Sequence, residues 1–165
     1  MTRKDIKVIQ ARIKEEQKNI TELLEELKRK NLFDQQSGLI DDNFFLRGVG
    51  SILHDYYVAV ENILEIICSE LDERLPEGSN WHMELLKQAS LEIPEVRPAI
   101  VSKSTLFKLD RYRAFRHVFR NVYGFNLDVK RITELVNELP ETAESFSKDI
   151  SSFCALLDQI DQDNC

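Results

Sequence analysis

An all-α fold, an antiparallel bundle of about five helices, is what this sequence predicts, and three observations predict it. Leu, Glu, Lys and Ile dominate the composition while the 165 residues include only five glycines and four prolines, so helix formers are plentiful and breakers scarce. Apolar residues return every three or four positions along most of the chain, the spacing that gathers them on one helical face. The β-branched runs are short, so no segment competes as a strand. With 42% hydrophobic residues the chain is long enough for one core and too short for two ordinary ones, and residues 1–165 are read as a single domain.

The first helix covers residues 2–31, with Ile6, Ile9, Ile13, Ile20, Leu23, Leu24 and Leu27 on its apolar face and Thr2 as its N-cap. The connection Asn31 to Asp41 holds Gly38. A second helix starts at Asp41 or Asp42 and runs to about Arg74, where Pro76 and Gly78 stop it. Trp81 to Lys87 reads as a short third helix capped by Ser79 or Asn80, and Ile93-Pro94 and Arg97-Pro98 mark an irregular connection. Ser102 or Ser104 caps the fourth helix, residues 104–124, with Gly124 ending it. Asp128 caps a fifth through Ile132, Leu135, Val136 and Leu139, and Pro140 breaks or kinks it before a last segment with Phe146, Ile150, Phe153, Leu156 and Leu157.

Several function classes are excluded by what the sequence does not contain. No stretch approaches the roughly eighteen apolar residues that span a bilayer, and Met1-Thr2-Arg3-Lys4-Asp5 leads into charged helix rather than an apolar signal core. A cytoplasmic protein with no membrane contact is the expectation. Cys68, Cys154 and Cys165 are far apart and lack Cys-x-x-Cys spacing, so neither a zinc site nor a disulfide framework is expected, and Cys68 and Cys154 read as core residues. There is no Glu-x-x-His pair, no phosphate-binding glycine loop and no His-Glu-x-x-His, which removes ferritin-like, NTPase and zinc-protease readings; no metal or cofactor is predicted.

The net charge of −7 argues by itself against a nucleic-acid binder, but it hides an asymmetry. From Lys103 to Arg131 the chain carries eight Lys or Arg against two acids, a local charge of +6 that leaves −13 for the remainder of a chain whose net is −7. On a helix of roughly 3.6 residues per turn, Arg113, Arg116, His117, Arg120 and Asn121 fall at i, i+3, i+4, i+7 and i+8, one cationic stripe that also exchanges protons. Tyr112, Phe115, Phe119 and Val122 fill the opposite side. Stacked like charges cost free energy, and the simplest occupant that offsets the cost is a phosphate. On the second helix Arg47, His54, Tyr57 and Glu61 lie close to one face, and Glu61 is placed to pair with Arg113 or Arg116 across the bundle. Trp81 and His82 read as a hydrophobic anchor and a cap-region contact.

The fourth helix resembles the HEPN superfamily and, within it, the HepT-like proteins, whose signature is an Arg, about four to six intervening residues and a His, often with a polar residue directly after the Arg. Here Arg116 is followed by polar His117 and, after four intervening residues, by Asn121, with Tyr123 two positions on. Phe45 to Glu61, the Trp81-His82-Met83-Glu84-Leu85-Leu86 block, Arg97-Pro98 and Asn126-Leu127-Asp128 also resemble the HepT-like pattern, which covers most of residues 42–130. The resemblance implies a metal-independent ribonuclease toxin acting on RNA, a homodimer with two motif helices at a shared cleft, and a nucleotidyltransferase antitoxin of the MntA kind that transfers AMP to a motif tyrosine. Tyr123 stands at that tyrosine's position.

One departure from the pattern matters chemically. Asn121 stands where the motif His is expected, and an amide neither takes nor gives the proton that attack by a 2′-hydroxyl requires. One arrangement restores the chemistry: the Asn121 carbonyl fixes the tautomer of His117 one turn earlier, His117 serves as the base, Arg116 and Arg120 hold the scissile phosphate, and Arg113 positions its neighbour. Tyr57, His54 and Glu61 would support them. Two other readings stay open: a degenerate dimer that only binds RNA, nucleotide or the transferase partner, and an adaptor whose basic helix is a protein interface. Tyr123 is either a modification target or a tyrosine packed at the helix end.

Overall fold

The computed structural model describes residues 3–33, 42–121, 123 and 126–163, with side chains described as far as residue 159. Thr2, Gly38, Asp41, Val122, Gly124 and Cys165 therefore lie outside the described residues. Among the described residues there are five helices: α1 (Arg3–Arg29), α2 (Asn43–Leu71), α3 (Trp81–Ala89), α4 (Lys103–Asn121) and α5 (Val129–Asp163). Among the described residues there is no strand beyond a single bridge between Ile93 and Arg97. No helix among them is long and apolar enough to cross a membrane.

Cross-helix pairs set the directions. Arg12 meets Glu70 and Glu16 meets Asn62, Lys7 meets Asp158 and Gln10 the Cys154 carbonyl, and Lys108 and Arg111 meet Glu141 and Glu138; each pairing runs antiparallel. The four long helices thus form an up-down-up-down bundle, with α3 laid against α2 and α4 in the long connection between them. The apolar face that defines α1 buries Ile6, Ile9, Ile13, Ile20 and Leu27. Helix α2 is buried at most positions from Leu46 to Cys68, so Glu61, its one buried charged residue, must find a partner inside. The thiols of Cys68 and Cys154 are free, the first buried and the second half-buried.

The helix ends follow local chemistry. Asp42 caps α2 by accepting from the Phe45 N–H at 2.9 Å, Ser102 Oγ accepts from the Thr105 N–H at 3.1 Å, and Asp128 Oδ1 accepts from Lys130 and Arg131 at 3.0 and 3.2 Å. Asn80 precedes α3 but makes no side-chain cap bond. Two expectations are corrected. Helix α2 stops at Leu71 rather than near Arg74: Asp72 still donates its N–H to the Cys68 carbonyl, the chain turns at Glu73 with a φ of 54°, and the Asp72 side chain binds Arg97. Pro140 does not break the last helix: α5 runs on from Val129 to Asp163. Leu135, Val136 and Leu139 before the proline and Ala143, Phe146 and Ile150 after it are all buried in the same core, and that burial outweighs the roughly 3 kcal/mol that an interior proline costs.

Helices α2 and α4 approach closely enough to seat the site. The Phe119 ring lies over Gly50, where an added Cβ would come within 2.6 Å of it, and Tyr56 meets Tyr112 edge-on at 5.2 Å. The Tyr112 hydroxyl donates to the Leu135 carbonyl at 2.8 Å and ties α4 to α5. The position of α3 is fixed by Arg97, whose five guanidinium N–H groups all find acceptors. Nε and Nη2 hold the two Asp72 oxygens at 2.6 and 2.7 Å, and the rest go to the carbonyls of Gln88, Leu91 and Pro98. Burial acts to raise the Asp72 carboxyl, but the hydrogen bonds from Arg97 and Gln88 outweigh it and hold the group below its ordinary range.

Truncating Arg97 strands the buried Asp72 carboxylate, so Arg97→Ala is expected to lower stability by about 3–5 kcal/mol in urea denaturation. Because the folded-state pKa of Asp72 is depressed, its contribution is complete above the unfolded value of 3.8 and lost as pH falls below it. An Arg97→Ala protein as stable as the parent would show that the buried pair does not fasten α3.

Candidate functional site

Three helices deliver three side chains to one point. Glu61 comes from the buried middle of α2, His82 from the first turn of α3 and Arg116 from the exposed half of α4. The His82 imidazole lies 2.5 Å from Glu61 Oε1 through Nδ1 and 3.1 Å from Arg116 Nη1 through Nε2. Arg116 Nε lies 3.4 Å from Glu61 Oε2. The Glu61 side chain is 4% exposed and that of Arg116 13%, whereas His82 retains 24%. The Trp81 ring covers one side of the imidazole at a centroid distance of 3.7 Å.

Hydrogen-bond chemistry fixes the protonation of this cluster. A guanidinium only donates, so His82 Nε2 must present its lone pair to Arg116, and the ring hydrogen sits on Nδ1, where it donates to Glu61. The imidazole is therefore neutral. Burial, then Arg116, Arg120, Arg113 and His117, push its pKa down to about 4. Burial pushes Glu61 up to about 7 against the opposing pull of Arg116, Arg113 and Arg120. Two polar atoms here are buried without a hydrogen bond, Arg116 Nε and the Tyr57 hydroxyl. Burial, with Glu61 next in weight, holds that phenol far above its ordinary range.

The cations from Lys108 onward on α4 differ in their surroundings. Lys108 and Arg111 are taken up by Glu141, Glu138 and Glu134 of α5, and Arg113 donates to Asp110 at 2.6 Å on its own helix. Arg116 is held by Glu61. His117, Arg120 and Asn121 are exposed at the C-terminal end of α4. Tyr123, just beyond, is 74% exposed.

The structure brings some predicted residues together and separates others. Glu61 and Arg116 meet, and Tyr57 buries its hydroxyl in their electrostatic neighbourhood. His54 does not join them: its Nδ1 lies 3.0 Å from Asp55 and its ring packs 5.8 Å from that of Phe119, because the i+7 step from His54 to Glu61 is two helical turns, roughly 10 Å along the axis. The Asn121 amide is not turned to the His117 imidazole; its Nδ2 donates to the His117 main-chain carbonyl at 2.6 Å, so it fixes no tautomer there. His117 is on the surface rather than in the interior. The residue that sequence reasoning missed is His82, read as a cap-region contact. It is 21 residues from Glu61 and 34 from Arg116, so no spacing joins them, and the one available signal was a Trp-His pair opening a helix. Among the described residues, no group of three or more His, Cys, Asp or Glu is placed to hold a metal ion.

A carboxyl this buried titrates out of its usual range, and 13C NMR of the Glu61 side chain should give a midpoint near 7. Arg116→Ala removes the strongest opposing charge and moves the midpoint higher. A midpoint in the ordinary carboxylate range near 4.5 would contradict the burial described.

Searches of curated proteins and of solved structures return no match. A family model described as HepT-like protein matches residues 48–157, a span that holds Glu61, His82, Arg116 and all of α4 and is well over half of the chain. By that match, and with an all-α bundle of five helices around it, the chain belongs to the HepT-like family of HEPN proteins.

Proposed function

We propose that the protein is the toxin of a HepT/MntA-type toxin–antitoxin pair and a metal-independent endoribonuclease. The observation that carries the reading is the exposed end of α4, where His117 and Arg120 stand beside an Arg116 whose guanidinium is oriented by a buried carboxylate. A planar guanidinium already fixed in direction binds a phosphodiester at less entropic cost than a mobile one. Arg116 and Arg120 would hold the scissile phosphate and stabilise the charge that develops on it. Arg113 would position the neighbouring phosphate, and His117 would exchange the proton that bond breaking requires. The exposed Tyr123 would be the AMP acceptor for an MntA-like nucleotidyltransferase, and two copies would pair their α4 helices.

Cleavage of an RNA oligonucleotide by the purified protein should persist in EDTA, and His117→Ala should reduce it by about 10²–10⁴-fold. Full cleavage by His117→Ala would remove that residue's role. Binding should weaken steeply with salt, the logarithm of the affinity falling by about 0.7 per phosphate contact for each tenfold rise in salt. Salt-independent binding would point to a protein interface instead.

A second reading, a noncatalytic HEPN dimer that binds RNA, nucleotide or the transferase, is favoured by one contact. The Asn121 side chain is engaged with the main chain of its own helix and carries no exchangeable proton of suitable acidity. Expression separates the two readings. A parent chain that arrests growth supports the nuclease, whereas a harmless parent made toxic by Asn121→His supports the degenerate site.

A further inference from the structure

We propose that His82, from α3, is the group that accepts the 2′-hydroxyl proton, with Glu61 holding its tautomer and anchoring Arg116 through Nε while a phosphodiester takes Nη1 off the imidazole lone pair. The assignment rests on the ribonuclease reading and adds to it a base that lies outside the motif helix. It answers a chemical deficit: the motif position on α4 is an amide, and proton abstraction needs a group with a free lone pair.

Geometry supplies one. A carboxylate that accepts from Nδ1–H at 2.5 Å leaves Nε2 as the basic nitrogen, the same division of roles by which a buried carboxylate orients a catalytic imidazole elsewhere. That nitrogen lies 3.1 Å from Arg116 Nη1, so base and phosphate ligand are adjacent. Arg116 Nε meanwhile lies buried 3.4 Å from Glu61 Oε2, so the carboxylate holds the guanidinium beside the base.

Charge makes the base conditional. Glu61 and, further along α2, Glu65 stand on one side of the cluster, and Arg113, Arg116, His117 and Arg120 of α4 on the other. In the free protein burial, and after it the α4 cations, hold His82 well below its ordinary basicity. A bound phosphodiester offsets the cations' share of that shift, so the imidazole gains basicity when substrate is in place.

The step balances without any further reactant. His82 Nε2 takes the 2′-hydroxyl proton as the 2′-oxygen bonds to phosphorus. The bond from phosphorus to the 5′-oxygen breaks, and that oxygen receives a proton from the His117 imidazolium. The products are a 2′,3′-cyclic phosphate and a 5′-hydroxyl. His82, now an imidazolium paired with Glu61, returns its proton to solvent, and His117 regains one.

Two measurements on the intact protein test the assignment. With a fluorescein-labelled RNA oligonucleotide, His82→Gln should lower kcat by about 10²–10⁴-fold with KM little changed, and imidazole added to His82→Ala should restore part of the rate. Imidazole 15N shifts of the parent protein should report the Nδ1–H tautomer of His82, which does not depend on turnover. A folded His82→Gln that cuts as fast as the parent overturns the assignment alone, as does an Nε2–H tautomer in the free protein. A parent chain that leaves RNA intact removes the ribonuclease reading and the assignment with it.

Discussion

Glu61 divides its two carboxylate oxygens between two other helices, and much of the arrangement around it follows from that division. A carboxylate in the middle of the most buried helix loses its hydration, and the loss is tolerable only if charged or hydrogen-bonding partners replace water at both oxygens. Arg116 of α4 and His82 of α3 are those partners. Neither is free to move without exposing the carboxylate to an apolar surround, so the position of α3 and the direction of one guanidinium are set together. A second buried pair, Asp72 with Arg97, fastens the other end of α3. The short helix is thus pinned at both ends by charged groups, in addition to the burial of Leu85, Leu86 and Ala89.

The same constraint explains how a chain of net charge −7 carries a basic helix without wasted repulsion. Most of the α4 cations are compensated within the fold: Lys108 and Arg111 by α5, Arg113 by Asp110 and Arg116 by Glu61. What stays open is the C-terminal end of α4, where His117 and Arg120 adjoin the oriented Arg116. The attraction for a polyanion is therefore local rather than spread along the helix, and it is strongest beside the only cluster where a carboxylate, an imidazole and a guanidinium meet among the described residues. An imidazole kept neutral by neighbouring cations and a carboxyl raised by burial are a pair of groups whose environments push their protonation apart, an arrangement commoner at working sites than in structural ion pairs.

Local features of this fold were legible in the sequence because their causes are local. The caps at Asp42, Ser102 and Asp128 and the apolar face of α1 each depend on residues within a few positions of one another. The stripe on α4 was legible for the same reason, and so was the approach of Glu61 to Arg116 once two antiparallel helices were assumed. Pro140 misled because its cost is local while the compensation, burial of Leu139, Ala143 and Phe146 in the shared core, is tertiary. His82 escaped notice because it joins the site through a connection whose path is set by Arg97, and the orientation of the Asn121 amide toward a main-chain carbonyl rather than an imidazole left no trace in spacing.

A double-mutant cycle between Glu61 and Arg116, read by urea denaturation with Glu61→Leu, Arg116→Met and the two combined, tests most directly whether that carboxylate organises the site. Each single change leaves a buried charge unpaired, so the two together should cost less than their sum, with a coupling of about 0.5–3 kcal/mol. Additivity to within about 0.5 kcal/mol would mean that the two groups are neighbours without depending on each other, and that Glu61 does not set the geometry on which the function has been argued.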